Sequence, residues 1–138
     1  MVDHNLVLVE YLNSISALTN LLGTFKVVAG QLPEKFDPEA APGSSPIVVI
    51  SREGGAPFEN APIKTARMKV RVWAGINQYK KASDVYAQVF VALHGACGIQ
   101  LSDGVIIHAS EEVSGQDITD PDTNWATVLS YWSVTARQ

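Results

Sequence analysis

IKTARMKVRVWAGINQYKKASDVYAQVFVALHG, residues 63–95, is the stretch that decides the fold. Its first part alternates between apolar and polar side chains, which is the period of a β-strand with one face on a core. The apolar positions are Ala66, Met68, Val70, Val72 and Ala74. The positions between them are Thr65, Arg67, Lys69, Arg71 and Trp73. This part therefore predicts a long strand with its even-numbered side chains in the core.

The second part of the same stretch changes to a helical period. Its apolar side chains recur three and four residues apart, so they fall on one helical stripe. The members of that stripe are Ala82, Val85, Tyr86, Val89 and Leu93. Asn77 suits the N-cap of such a helix, and Gly95 suits the position just after its end. We expect the helix to lie back over the apolar face of the strand.

The remaining segments add further elements to this strand and helix. A helical stripe predicts a first helix over residues 5–22, capped by Asp3 or Asn5 and ended by Gly23. Strands are expected at residues 25–29, 46–52, 105–113 and 125–136, and residues 95–104 are expected to be a connector. Together they predict one α+β domain over residues 1–138. Its sheet would be antiparallel or mixed, with about four to five strands, two helices packed on one face and long loops.

Two long connections lie beside the predicted strands. Residues 30–46 contain four prolines and no sustained periodicity, and residues 52–62 are far longer than a tight hairpin turn. Loops of this length inside a compact domain are more often functional. Phe36 and Phe58 are therefore candidate contacts with a partner.

The last predicted strand has large side chains on both faces. Trp125, Leu129 and Tyr131 lie opposite the face formed by Ala126, Val128, Trp132 and Val134. One interpretation is a central strand covered by a helix on one side and by a loop on the other. The other is that the second face meets another subunit, because aromatic side chains anchor interfaces. Both interpretations remain open at the level of sequence.

Arg67, Lys69 and Arg71 form a basic row on the polar face of the long strand. They can pair across the sheet with acidic neighbours such as Glu111 or Glu112, or they can dock an acidic partner. Three cations carry little affinity for nucleic acid, so we favour pairing within the sheet.

Composition limits the classes of function. The chain has 138 residues, 46% of them hydrophobic, and a net charge of -4, which is typical of a globular domain without a nucleic-acid-binding surface. Its one cysteine, Cys97, excludes an intramolecular disulfide. We see no signal peptide and no apolar run of the roughly 20 residues that a membrane span needs.

Catalytic and metal-binding patterns are not found in the sequence. The three histidines do not lie at a ligand spacing from one another, and Glu111 and Glu112 point to opposite faces of a strand. Asp117, Asp120 and Asp122 lack the spacing of a calcium loop. We therefore expect no enzymatic activity, no cofactor and no metal.

Four stretches of the chain carry a family resemblance. They are PIVVI at residues 46–50, the strand MKVRVWAG, the helix ASDVYAQVFVALHG and the closing DPDTNWATVLSYWSVTAR. With the order of its elements, they resemble the tail-terminator or tail-completion proteins of long-tailed bacteriophages. The likeness covers most of the chain from about Leu6 onward. The proline-rich loop is a departure from the family pattern.

The resemblance implies a structural virion protein at the head-proximal end of the tail, assembled in the host cytoplasm. It implies a homo-oligomeric ring, usually a hexamer, that stops growth of the tail tube and joins it to the head-completion or neck proteins. DNA would pass through the ring without specific binding. An acidic lumen repels phosphates, so Asp117, Asp120 and Asp122 are candidate lumen residues.

Two other functions remain as alternatives. A head–tail connector or another neck protein would have the same size and composition, but it would not cap the ends of tail tubes. A small α+β ligand-binding domain would bind a small molecule without assembling. Electron microscopy of the purified protein and a thermal-shift screen distinguish these classes.

Overall fold

Sheet dominates the structure, a computed structural model that describes residues 3–38, 46–55 and 63–138. The described strands are β1 (Val27–Ala29), β2 (Ile47–Gly55), β3 (Ile63–Ile76), β4 (Cys97–Leu101), β5 (Gly104–Thr119) and β6 (Trp125–Arg137). The described helices are α1 (His4–Asn13), α2 (Ser16–Thr19) and α3 (Tyr79–Leu93). None of these helices is long and apolar enough to cross a membrane.

The six strands form one sheet in the order β1-β2-β3-β6-β5-β4, which curls into a half-barrel. β1 pairs with β2 in parallel, and every other pair is antiparallel. The predicted fold class is therefore wrong. The chain is mostly a curled mixed sheet of six strands with few helices, and not a sheet of four to five strands with two helices on one face.

One source of this error is β4, which the sequence predicts as a connector. β4 forms a tight hairpin with β5, in which Cys97 lies opposite His108 and Leu101 opposite Gly104. Its residues are exposed or half-buried and include Gly98 at φ +64°. A strand with so little buried surface has no apolar alternation, so periodicity does not detect it.

The first helix is also shorter than predicted. α1 ends at Asn13, and α2 is a single turn that begins at Ser16. Asn13 directs its side-chain amide to the backbone of Val27 in β1, and the Ser14 hydroxyl donates to the Tyr11 carbonyl at 2.5 Å. Side chains that bond the backbone in this way compete with helix continuation. Asp3 caps α1, as one of the two predicted capping residues, by accepting from the amides of the next turn.

The predicted register of β3 is confirmed. All five of its predicted core side chains are at most 1% exposed, and the side chains between them are exposed or half-buried. Four of the five residues of the predicted stripe of α3, namely Ala82, Val85, Val89 and Leu93, are at 0% exposure, and the fifth, Tyr86, is half-buried. α3 and α1 share one hydrophobic core with β2, β3, β5 and β6.

The two ends of α3 differ in how well the sequence predicts them. Asn77 has a φ of +59° and is not the N-cap; Gln78 holds that position, and its side chain accepts from the amide of Gly75 at 2.9 Å. Gly95 follows the helix at a φ of +78°, the left-handed conformation that the sequence predicts there. Its amide then donates to Ala109, which starts the pairing of β4 with β5.

Candidate interaction face

The candidate site is the side of the sheet that points away from the hydrophobic core, here called the outer face. In β6 it carries Trp125, Leu129 and Tyr131, which the sequence predicts on the face opposite the core. In β3 it carries the basic row, because Arg71 pairs with Leu129 and Lys69 with Tyr131. The outer face therefore joins the predicted contact residues and the basic row into one surface.

One end of the outer face is an aromatic corner made of Phe36, Trp73 and Trp125. The ring centroids of Phe36 and Trp125 lie 5.3 Å apart, and those of Trp73 and Trp125 lie 6.3 Å apart, both edge to face. Phe36 is only 6% exposed. The segment that holds Phe36 thus covers Trp125, as the first interpretation of this strand expects. Phe36 contacts its own subunit here, and its role toward a partner stays a prediction.

Leu129 and Tyr131 lie further along β6, beyond the aromatic corner, and both are half-buried. Across the sheet from them on β5 lie Gln116 and Val113. The guanidinium carbon of Arg67 lies 4.2 Å from the centroid of the Tyr131 ring. A ring held by a cation loses little conformational freedom on binding, so Tyr131 is well suited to anchor a contact.

Two members of the basic row form ion pairs within the sheet, and one of them, Arg67, pairs with a predicted partner. Arg67 forms a 3.3 Å ion pair with Glu112, and Lys69 forms a 3.0 Å ion pair with Glu53. Ion pairs this exposed contribute at most about 1 kcal/mol of stability, so they can be exchanged for partner contacts at small cost. Because Glu111 accepts from Tyr86 of α3, it faces the core side while Glu112 faces outward, as the sequence predicts.

Arg71, the third member of the row, contacts a ring and a hydroxyl. Its guanidinium lies 4.3 Å from the Trp73 ring centroid and donates to the hydroxyl of Thr127 at 3.3 Å. Thr127 in turn donates to the carbonyl of Ile118 in β5, which ties the three central strands together at this level. Arg71 is therefore a fixed part of the outer face.

The acidic residues predicted to line a lumen lie at the tip of the β5–β6 hairpin. β5 runs through Thr119, beyond the predicted strand end at residue 113, so Asp117 lies in the strand. Asp120 accepts from the amide and the hydroxyl of Thr123, which fixes the turn, and Asp122 is exposed. In the described part of the chain no group of three acidic, histidine or cysteine residues could hold a metal ion.

The sequence does not predict two apolar contributors to the outer face, Val113 and Ile118. Both are half-buried in β5, opposite Tyr131 and Thr127. β5 shifts register between Glu111 and Val113 and again before Gln116, which breaks the alternation of the sequence. Ile118 also lies beyond the strand that the sequence predicts over residues 105–113. Phe58, the other predicted contact residue, lies outside the described residues.

Residues 7–135 match the family described as Tail completion protein gp17. No curated protein matches the sequence. A chain from the virion of a native gene transfer agent particle has the same fold, with a TM-score of 0.67, 18% identity and coverage of 93% of this chain and 90% of that chain. The chain belongs to the Tail completion protein gp17 family and is a structural protein of the phage virion tail.

Proposed function

We propose that this protein is a tail terminator. It forms a ring on the end of the tail tube, stops tube growth and joins the tail to the neck of the head, leaving a channel for DNA. The observation that carries the proposal, beside family membership, is the outer face of the sheet. A strand in the middle of the sheet has a packed core on one side and half-buried Leu129 and Tyr131 on the other.

The outer face has the arrangement of a contact surface. Leu129, Tyr131, Val113 and Ile118 supply partly exposed apolar area, and exposed ion pairs such as Arg67–Glu112 border it. Interfaces place aromatic and arginine side chains at the centre and charged groups at the rim. When such a face meets a different surface of the next subunit, the head-to-tail contact closes into a ring if the rotation allows it.

The partners along the tail axis are the tail tube protein on one side and a head-completion or neck protein on the other. Phe36 fixes the start of the proline-rich segment beside Trp125, at the end of the sheet that also carries the acidic turn. Gly55 and Ile63, which bound the other predicted contact loop, lie at the opposite end of β3. Contacts at opposite ends of the strands suit a subunit that joins two different assemblies.

The channel role rests on charge. The net charge of -4 and the exposed carboxylates of Asp117 and Asp122 disfavour contact with DNA phosphates. DNA would then pass the ring without binding to it. We propose that the tip of the β5–β6 hairpin, with Asp120 in its turn, faces the lumen.

The experiment that tests this function mixes the purified protein with growing tail tubes. Wild-type protein should bind tube ends and shorten the distribution of tube lengths. Tyr131→Asp should reduce end binding by about tenfold or more, because it places a charge at the proposed contact centre. Ser83→Asp, which adds the same charge on the exposed side of α3, should bind tube ends like wild type.

Two results would contradict the proposal. Wild-type protein that leaves tube lengths unchanged and binds isolated neck components would be a connector instead. If Tyr131→Asp folds and caps as well as wild type, then the outer face is not the contact between subunits.

A further inference from the structure

The C-terminal part of β5, residues 110–119, has backbone groups that are open on one side. β4 pairs with β5 only from Gly104 to His108. Two more backbone bonds extend that pairing, from the Gly95 amide to the Ala109 carbonyl and from the Ala109 amide to the Ala96 carbonyl. Along residues 110–119, β5 pairs with β6 on one side and with no described strand on the other. An unpaired edge of this length is a template on which another chain can add a strand.

Two tyrosine side chains of helix α3 reach this part of β5. The hydroxyl of Tyr79, the first residue of α3, hydrogen-bonds the hydroxyl of Thr119, the last residue of β5. Tyr86, two helical turns later, donates to the carboxylate of Glu111 and accepts from the backbone amide of Gly115 at 2.9 Å. These five residues, Tyr79, Tyr86, Glu111, Gly115 and Thr119, are called the tyrosine clasp below.

The fit at Gly115 depends on glycine. A Cβ atom at this position would lie 2.6 Å from the Cζ atom of Tyr86, which is far below van der Waals contact. Glycine within a strand often marks the close approach of another group, and here that group is the Tyr86 ring. Burial, followed by the hydrogen bond to Glu111, raises the pKa of Tyr86, so its hydroxyl stays protonated and able to donate.

In β1, an edge strand of the sheet, a side chain likewise occupies backbone groups of one residue. The side-chain amide of Asn13 donates to the carbonyl of Val27 at 3.2 Å and accepts from the amide of Val27 at 3.2 Å. This pair of bonds is the one that a neighbouring strand would make. Asn13 therefore occupies the strand-pairing groups of Val27 in β1.

We propose that the tyrosine clasp and Asn13 block strand addition by a second copy of this chain at the C-terminal part of β5 and at Val27 of β1, and so keep the free subunit from pairing with itself through these strands. Assembly would then use the outer face and the loops, and not the edges. The purpose of the blocking rests on the proposed function, because a terminator that joined to itself in solution would be lost to the tube. The blocking itself concerns the purified chain alone.

The test opens the clasp and measures self-association. Tyr86→Ala should remain folded by circular dichroism and form concentration-dependent oligomers in analytical ultracentrifugation, where wild type stays monomeric. In those oligomers hydrogen exchange should slow at residues 110–119, because a second strand protects the edge amides. Phe90→Ala removes a neighbouring aromatic side chain of α3 that bonds no β5 edge group, and it should stay monomeric.

A second variant with a smaller change keeps the proposal testable if Tyr86→Ala does not fold. Tyr86→Phe keeps the ring over Gly115 and removes only the hydroxyl, so exchange of the Gly115 amide should quicken by about fivefold to tenfold. Unchanged exchange at Gly115 would show that the hydroxyl does not hold the edge. A Tyr86→Ala protein that stays monomeric, or associates without slower exchange at 110–119, would overturn the proposal. None of these outcomes depends on tail tubes, so they are separate from the test of the terminator function.

Discussion

In β3, the loss of stability caused by a substitution depends on which face of the sheet the side chain occupies. Val70 is fully buried in the core, while Lys69 beside it points outward to Glu53. The carbonyl of Val70 also accepts from Ser130, whose hydroxyl oxygen accepts from the indole of the buried Trp132 at 2.9 Å. Packing and polar contacts thus converge on the centre of this strand.

Val70→Asp should unfold the protein. A charge with no partner in this core costs about 4 kcal/mol or more, which is comparable to the total stability of a small domain. Lys69→Asp is the matched control and should cost at most about 1 kcal/mol, the value of an exposed ion pair. Circular dichroism with urea titration measures both. Equal stability of the two variants would mean that the register of β3 is wrong.

His4 gives the stability a dependence on pH. Burial lowers its pKa below the ordinary value of 6.5, and nearby Arg52 adds to this effect, while Nε2 donates to the carbonyl of Lys64 at 3.1 Å. The folded protein therefore favours neutral His4, whereas in the unfolded protein the His4 imidazole takes up a proton more readily. Stability from this group is complete above about pH 6.5 and falls as the pH drops toward the lowered pKa.

Unfolding of wild type and His4→Gln at pH 7.5 and pH 5.5 tests this dependence. Wild type should lose more stability than His4→Gln, because glutamine can donate to Lys64 without titrating. Hydrogen bonds from Ser102 lower the pKa of Glu10 below its ordinary value of 4.5. Glu10 should therefore contribute little to the change in stability between pH 7.5 and pH 5.5. An equal loss in both proteins would assign the pH dependence to other groups.

At the scale of elements, the sequence predicts those segments whose burial is periodic. β3 and α3 each have one face in the core, so the periods of two and 3.6 appear directly in the chain. β4 has almost no buried face, β5 changes register at its bulges, and α1 ends because Asn13 bonds a distant strand. These features depend on tertiary contacts, and for that reason they are not visible as patterns. The same holds for the Phe36–Trp125 contact, since no local pattern indicates which face a loop will cover.

Phe36 should be the anchor of the proline-rich segment. Phe36→Ala should cost about 2 kcal/mol or more, because it removes a buried ring packed edge to face on Trp125. Tryptophan emission should shift to the red as Trp125 becomes exposed. Lys35→Ala, at the exposed neighbouring position, should change neither quantity. If Phe36→Ala matches Lys35→Ala, then the segment does not cover the sheet in solution.

At the scale of the whole molecule, the three surfaces of the sheet have different roles. The helices pack on the core face, Asn13 and the tyrosine clasp occupy backbone groups of β1 and of the C-terminal part of β5, and Leu129 and Tyr131 lie half-buried on the outer face. The ends of the strands carry the acidic turn and the loops. These surfaces suit the proposed role, in which the outer face would meet neighbours in a ring and the two ends would meet the assemblies that the subunit joins.

Electron cryomicroscopy of tail tubes capped by this protein tests that account most directly. We predict a single terminal ring of about six copies, in which the outer face of each subunit, with Tyr131 at its centre, meets the next subunit. Tube ends that carry isolated subunits, or a ring in which the outer face is exposed to solvent and the β5 edge forms the contact, would contradict it.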